Sequence, residues 1–568
     1  MDLKWVVQPE PDPNISSRLS DDLNIPRVAS RILAARGITD SLRAERFVKP
    51  SIADLFDPFL LSNMDKAIER VIQALKNNEK IMIYGDYDVD GITSTAVMFL
   101  VLNRLGANVS YYLPNRLIEG YGISEDGLKE AERRDIDLLI TVDCGITAVD
   151  EFELARKMGI DCIITDHHEP ADRIPDVHAI VNAKLDGEDN PGFELSAVGI
   201  AFKFAQALYR ELGQDETELE EHLDLVAMGT AADIVPMIGE NRILTKFGLE
   251  QIARTSKPGL KALIFIAGLM GQKIGTGQVV FILAPRINAI GRLGDAEQAI
   301  KLLTTKDENK AATIARILNA ENQRRKSIDE KTLNEAIEQL ETTIDFSKDK
   351  AIVLSSRGWH QGVIGIVASR LVEKYHRPTV MIAIDGDEGK GSARSIPGFH
   401  LYDALKECEG DLLRYGGHKY AAGLSIAPER IESFKNNLNR ISSKMLTDED
   451  LIPKLGIDSE IDLDTIDDDL VNVLERFAPF GPQNMRPVFV SYGNEIVGTP
   501  HIVGKKHLKF KVRKGDKILD CIGFNQGDFL KNMNYYPLLI DMVYVIEHNY
   551  WNGQNRIQLR TRDIKIVR

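Results

Sequence analysis

The sequence predicts an α/β protein of several domains, and three observations carry that prediction. The chain has 568 residues, too many for one hydrophobic core and enough for three or four domains. From Lys80 onward, short β-rich apolar runs alternate with amphipathic helical stretches, which indicates βαβ units and a parallel sheet. From about Leu455 the pattern changes to successive short strands with turn signals such as Asn552-Gly553, which predicts a small β-barrel of the oligonucleotide-binding type.

Taken in order, residues 1–75 are helical in pattern with proline interruptions and form an N-terminal helical cap without visible chemistry. A parallel-sheet domain spans 76–310. Strands are expected over 81–85, 109–113, 136–142 and 160–165, with helices over 93–105, 124–134 and 148–158. Residues 217–345 read mostly as helix. Within them 311–341 is highly charged with apolar residues at helical spacing, which predicts a long, exposed connecting helix over 311–345. A new strand begins at Ala351, followed by Trp359-His360-Gln361-Gly362 and a helix to Lys374. This opens a second, smaller α/β domain over 346–450. The barrel takes 451–568, with strands near 488–491, 508–512, 518–524, 538–547 and 556–566.

Composition narrows the setting. The four cysteines, Cys144, Cys162, Cys408 and Cys521, form no CxxC pair, which fits a reducing compartment and argues against a zinc ribbon. No apolar h-region is visible at the N-terminus, and no apolar run reaches the ~18 residues of a membrane span. A cytoplasmic protein with no membrane partner is expected. The net charge of −15 disfavours non-specific polyanion binding through the whole surface, while leaving a locally basic groove open.

The chemistry starts at Ile81-Met82-Ile83-Tyr84-Gly85-Asp86-Tyr87-Asp88-Val89-Asp90-Gly91, an apolar strand that ends in three acids at alternate positions. Carboxylates crowded at a strand end repel one another unless a cation lies among them. An EF-hand loop beginning at Asp86 would need a helix before it and a Glu at its twelfth position. A strand precedes the acids here, and Val97 holds the twelfth position. Asp143 follows a second strand and Asp166-His167-His168 a third, so three strands deliver metal-type ligands to the carboxyl edge where open parallel sheets bind ligands. Asp143 alone reads equally as a turn residue before Gly. Asp233, inside the apolar Leu-Val-Ala-Met-Gly-Thr-Ala-Ala-Asp-Ile-Val-Pro, needs a partner to be buried; a metal or a helix cap would serve. Asp90 is expected to cap the helix that follows it.

Arginine forks suit a terminal phosphate. Arg116, Arg286 and Arg394 stand in glycine-bearing motifs, with His360 and Ser392 as supporting donors and Tyr121 as a base-stacking candidate; each is also explicable as surface pairing or turn packing. The basic run of the chain is Lys505-Lys506-His507-Leu508-Lys509-Phe510-Lys511-Val512-Arg513-Lys514. On a strand, Lys509, Lys511 and Arg513 share one face and Leu508, Phe510 and Val512 the other. Contact with nucleic acid through Lys505, Lys506, Lys509 and Lys511 is the expectation. Tyr550 and Trp551 are possible stacking residues beside the following turn.

Gly-Asp-Tyr-Asp-Val-Asp-Gly, Thr-Val-Asp-Cys-Gly and Asp166-His167-His168 resemble the DHH phosphoesterase superfamily. So do Pro114-Asn115-Arg116, Glu119-Gly120-Tyr121-Gly122 and Pro285 to Arg292, while Gly358 to Gly365 and Gly416-Gly417-His418 resemble the DHH-associated domain. With the barrel, the resemblance covers residues 20–568 and points to the single-strand-specific 5′→3′ DNA exonucleases of that superfamily. It implies two divalent cations, Mn²⁺ or Mg²⁺, held by Asp86, Asp88, Asp143, His167 and Asp233, with Asp143 bridging. It implies His168 facing the scissile phosphate and Asp166 orienting the histidines. The implied reaction is processive hydrolysis of single-stranded DNA to 5′-mononucleotides in repair and recombination, by a monomer that works with a single-strand-binding protein and a helicase. The family's histidine before the first acid is absent, its stretch being Met82-Ile83-Tyr84. The alternatives are a DHH phosphodiesterase for short oligonucleotides or cyclic dinucleotides, an inorganic pyrophosphatase, and a non-catalytic single-strand-binding replication protein.

Overall fold

The computed structural model describes residues 3–115, 119–120, 122–293, 296–533, 538–551 and 554–567. The chain divides into two compact units. One comprises Val7–Asn319 with Gly456–Arg568, the other Ala320–Leu455 with the first six residues.

The first unit is built on a five-stranded sheet of β1 (Lys80–Gly85), β2 (Asn108–Tyr112), β3 (Leu138–Val142), β4 (Asp161–Thr165) and β5 (Ala179–Val181) in the order β2-β1-β3-β4-β5. Every pairing is parallel. Successive side chains serve two cores, as the strand period of two requires. Ile81 and Ile83 pack with Ile140, Ile163 and helix Val89–Arg104, while Met82 and Tyr84 pack with Leu139, Ile164 and Phe152 on the opposite face. The three-residue β5 is too short to be seen in sequence.

The same unit carries the barrel: β11 (Phe489–Val503), β12 (His507–Lys514), β13 (Lys517–Gly523), β14 (Leu539–Trp551) and β15 (Gln554–Val567). The order β11-β12-β13-β15-β14 closes back on β11. Register shifts at Ser491/Asn494 and Val497/His501 bend β11, so that it pairs with both β12 and β14.

The second unit holds β6 (Ile352–Ser356), β7 (Thr379–Asp385), β8 (Glu388–Arg394), β9 (Arg414–Gly417) and β10 (Ala421–Ile426) in the order β9-β10-β8-β7-β6. Helix Glu308–Thr343 is long, as expected, but it is not exposed along its length. Ala336 and Leu340 are buried with Trp359, Val363, Val367 and Leu371, and Ile337 packs against them, because the apolar residues at helical spacing form a seam on the second domain.

Candidate metal centre and nucleic-acid faces

Strand register aligns the acids. Gly85 pairs with Val142, and Val142 with Thr165, so the next residues, Asp86, Asp143 and Asp166, leave three neighbouring strands at one level. All three side chains are buried. Gly91 is required here: a Cβ would lie 2.6 Å from the Asp86 carbonyl oxygen and 2.7 Å from its nitrogen. The glycine lets the start of helix Val89–Arg104 rest directly on Asp86.

The predicted ligands come together in overlapping groups. One oxygen from each of Asp86, Asp88 and Asp143 lies within 4.8 Å of the others, as do ligand atoms of Asp143, His167 and His168, and of Asp90, His167 and Asp233. His167 Nε2 is 3.2 Å from Asp143 Oδ1 and 3.6 Å from Asp233 Oδ2. That nitrogen is buried and has no hydrogen-bond partner among the described residues.

The cap of helix Val89–Arg104 falls to Asp88 rather than, as sequence suggested, to Asp90. Asp88 caps helix Val89–Arg104, its Oδ1 accepting from Asp90 N at 2.8 Å and Gly91 N at 3.1 Å. Asp90 does not cap that helix. It is buried, and its carboxylate accepts from Ala197 N at 2.8 Å and Val198 N at 2.9 Å, the first amides of helix Ala197–Glu211. Asp90 lies inside the first turn, where its side chain reaches a helix distant in sequence rather than its own amides. Tyr84, in the stretch where the family has its histidine, turns away from the acids. Its hydroxyl donates to Gly122 O at 3.3 Å and accepts from Ser124 N at 3.1 Å.

The electrostatics describe a centre short of positive charge. Burial, then the charges of Asp88, Asp90, Asp86 and Asp233, push the Asp143 carboxyl well above its ordinary range. Burial, then Asp233 and Asp88, do the same to Asp90. Asp233 is raised to about 6 by burial and Asp88. Burial and then His168 lower His167 to about 4, so it presents a neutral imidazole. Burial would lower His168 as well, but its hydrogen bond to Asp166 and that carboxylate's charge raise it to about 9. Asp166 Oδ1 accepts from His168 Nδ1 at 2.7 Å and from the backbone nitrogens of His167 and His168, and Oδ2 accepts from Ile146 N at 3.0 Å. Asn182, just past β5, donates to the His168 carbonyl at 2.9 Å. Carboxylates around one neutral imidazole suit a hard divalent cation that tolerates nitrogen, Mn²⁺ ahead of Mg²⁺. The cysteines take no part: Cys144 is buried, and burial followed by Asp166 drives its thiol far up.

The phosphate candidates fare unevenly. Arg116 and Tyr121 lie outside the described residues. Arg286 is buried, and its fork is partly used, donating to Ile282 O at 2.5 Å and Asn319 Oδ1 at 3.1 Å. In the second unit, Ser392 and Arg394 sit side by side, Arg394 Nη1 donating to Ser392 Oγ at 3.2 Å. Both crowd Gly365, where a Cβ would stand 2.8 Å from Ser392 Oγ and 3.1 Å from Arg394 Nη2. His360 caps the helix that carries Gly365, Gln361–Tyr375, its Nδ1 accepting from Gly362 N at 3.0 Å.

On the barrel, β12 has the alternation expected, with Leu508, Phe510 and Val512 buried and Lys511 and Arg513 exposed. Neighbouring strands, and the start of the short helix Leu463–Thr465, supply acids that sequence could not place. Lys511 lies 3.7 Å from Asp520, Arg513 clasps Glu495 at 2.8 Å, and Lys514 meets Asp462 at 2.7 Å. Lys505, Lys506 and Lys509 have no ion pair among the described residues. The side chains of Tyr550 and Trp551 lie outside the described residues.

Comparison with known proteins agrees with this layout. Residues 80–230 match the DHH family N-terminal domain, 348–444 the DHHA1 domain and 457–563 the RecJ OB domain. The chain is 39% identical to the single-stranded-DNA-specific exonuclease RecJ of Bacillus subtilis over 99% of this chain and 71% of that protein. It is 35% identical to the Escherichia coli protein of the same name, over 94% of this chain and 95% of that one. The crystal structure of Thermus thermophilus RecJ in complex with Mn²⁺ superposes with a TM-score of 0.85 at 30% identity, over 99% of this chain and 79% of that chain.

Proposed function

The chain belongs to the RecJ family of DHH proteins, and from that premise we propose that it is a metal-dependent, processive 5′→3′ exonuclease that hydrolyses single-stranded DNA to 5′-mononucleotides in repair and recombination. The observation that carries the reading is the register-aligned row Asp86, Asp143 and Asp166 with His167 and Asp233 beside it. Asp86, Asp88, Asp143, His167 and Asp233 would hold the two divalent cations, Mn²⁺ or Mg²⁺, with Asp143 shared between groups. Bound there, such cations acidify water from roughly 15.7 toward 7 and draw charge from phosphoryl oxygens. The protein's own groups do the rest. His167 is neutral and free to ligate. His168 is charged at neutral pH and partly exposed, placed to stabilise charge building on the phosphate. Asp166 and Asn182 fix its ring and its backbone.

The choice of a 5′ end calls for contact with the terminal phosphate, for which Arg116, Arg286 and Arg394 are the candidates, with His360 and Ser392 as supporting donors and Tyr121 to stack on a base. The strand would run over Lys505, Lys506 and Lys509, with a smaller part for the paired Lys511. A monomer that cooperates with a single-strand-binding protein and a helicase belongs to the same proposal. So does a cytoplasmic location: no described helix is long and apolar enough to cross a membrane. The barrel favours this reading over a phosphodiesterase for cyclic dinucleotides, and the full set of acids favours it over a non-catalytic binding protein.

The test is mononucleotide release from 5′-labelled single-stranded DNA with Mn²⁺. Wild-type protein should release the label first, and Asp143→Ala should lose activity on the order of a thousandfold. A wild-type rate in Asp143→Ala would end the proposal.

A further inference from the structure

A turn that leads into the barrel packs against Met237, four residues after Asp233. Asp233 closes helix Leu223–Ala232, its amide donating to Gly229 O at 2.9 Å. The next residue, Ile234, has φ +63° and is 60% exposed. A β-branched residue in the left-handed region is an outlier that persists only where its surroundings over-determine it. Exposure denies Ile234 a packing reason, so the constraint must come from the segment beyond it.

That segment is tied at two consecutive residues, Pro236 and Met237. Pro236 O accepts from Asn241 Nδ2 at 3.1 Å, and the same nitrogen donates to Glu194 O. Met237, buried, donates its amide to Pro482 O at 2.8 Å. Gly481 lies against the Met237 side chain, and a Cβ there would stand 3.0 Å from Met237 Cβ and 3.3 Å from its Cε. The turn itself is rigid. Gly481 and Asn484 exchange backbone hydrogen bonds at 3.1 and 3.0 Å, and the buried Asn484 donates to Phe477 O at 2.9 Å and Pro479 O at 2.8 Å. The catalytic domain grips it twice more. Arg242, buried over the Phe47 ring, donates to Arg476 O at 2.9 Å and Ala478 O at 3.1 Å, and Thr276 Oγ1 donates to Phe480 O at 2.8 Å. A few residues on, the chain enters β11 of the barrel.

We propose that the turn 476–484 is a positioning element for the metal centre: by clamping Met237 it holds Ile234 in its strained conformation and so sets where the Asp233 carboxylate stands. Gly481, Arg242 and Thr276 are therefore positioning residues for Asp233, and the root of the barrel acts on metal affinity independently of any contact with DNA. The inference rests on Asp233 being a metal ligand.

The test is Mn²⁺ titration of the full-length protein by calorimetry, alongside binding of a labelled single-stranded oligonucleotide in EDTA. Gly481→Ala should weaken Mn²⁺ binding by about 10-fold, the size usual for groups that orient a ligand. Oligonucleotide binding in EDTA should be unchanged, and kcat should recover at saturating Mn²⁺. Should Gly481→Ala fail to fold, Thr276→Val removes one tether with little change in volume and is read the same way. Unaltered Mn²⁺ affinity in the folded variant overturns the inference. Asp233→Ala separates the two layers. If it too leaves Mn²⁺ affinity unaltered, the metal-site reading itself fails; if it alone weakens binding, only the positioning role does.

Discussion

The acid-lined edge of the catalytic sheet and the basic strand of the barrel each crowd like charges at alternate positions, and they relieve the crowding in opposite ways. On β12 the cations are largely exposed and borrow acids from the flanking chain: Asp520, Glu495 and Asp462 each sit against one of them. Such surface pairs form at little cost and contribute little. At the sheet edge Asp86, Asp90 and Asp143 are buried, and His168, 3.9 Å from Asp143, is already engaged by Asp166. Burial, not charge density, thus separates a site from a solvated face: where water is excluded, the charge must come from a ligand.

The comparison can be broken at either end. The largest effect should follow His168→Ala, which removes the imidazolium from the acid cluster. A fall in kcat of roughly 10²–10³-fold is expected, with calorimetric Mn²⁺ affinity nearly kept; a large loss of affinity instead would make His168 a ligand. On the barrel, replacing Lys505, Lys506 and Lys509 together by Ala should lower the slope of log affinity against log salt by about 2, since each phosphate contact on a single strand contributes roughly 0.7. Lys511→Ala should leave affinity within about twofold, because Asp520 already shares its charge. If Lys511→Ala matched the triple variant, pairing across strands would not be what sets the contribution of each lysine.

A smaller effect should appear in stability. In EDTA, Asp143→Asn relieves repulsion among buried acids and should raise Tm by about 2–4 °C, the shift that roughly 1 kcal/mol gives in a domain of this size. With Mn²⁺ present the order should reverse. The smallest effect concerns a buried base. Burial, then Lys257 and Arg104, lower His222 to about 3 in the folded protein, against about 6.5 when unfolded. The unfolded state therefore binds more protons between those values, and stability falls as pH drops from about 6.5 toward 3. His222→Phe should flatten that part of a Tm-versus-pH profile; an unchanged slope would mean the histidine is protonated in place.

The same contrast explains what could be read from the sequence. Asp86, Asp143 and Asp166 were legible because an apolar run ending in an acid is a local pattern, and the parallel sheet needed no more than the alternation with helices. The five expected ligands do converge. What depends on register or on distant chain was not legible. Asp90 lies beside its own helix in sequence yet serves Ala197 and Val198, more than a hundred residues on. The partners of Lys511 and Arg513 are set by which residues face each other across β11, β12 and β13. Asn182 follows a strand of three residues, below what periodicity can detect.

The contact between Gly91 and Asp86 bears on how quickly the centre fills. The acids are held to the sheet on one side and to two helix starts on the other, through Asp88 and Asp90. Little ordering entropy is then left for loading to consume. The rate of filling passes to the ion's own hydration shell, so Mg²⁺, which sheds water reluctantly, should enter and leave more slowly than Mn²⁺.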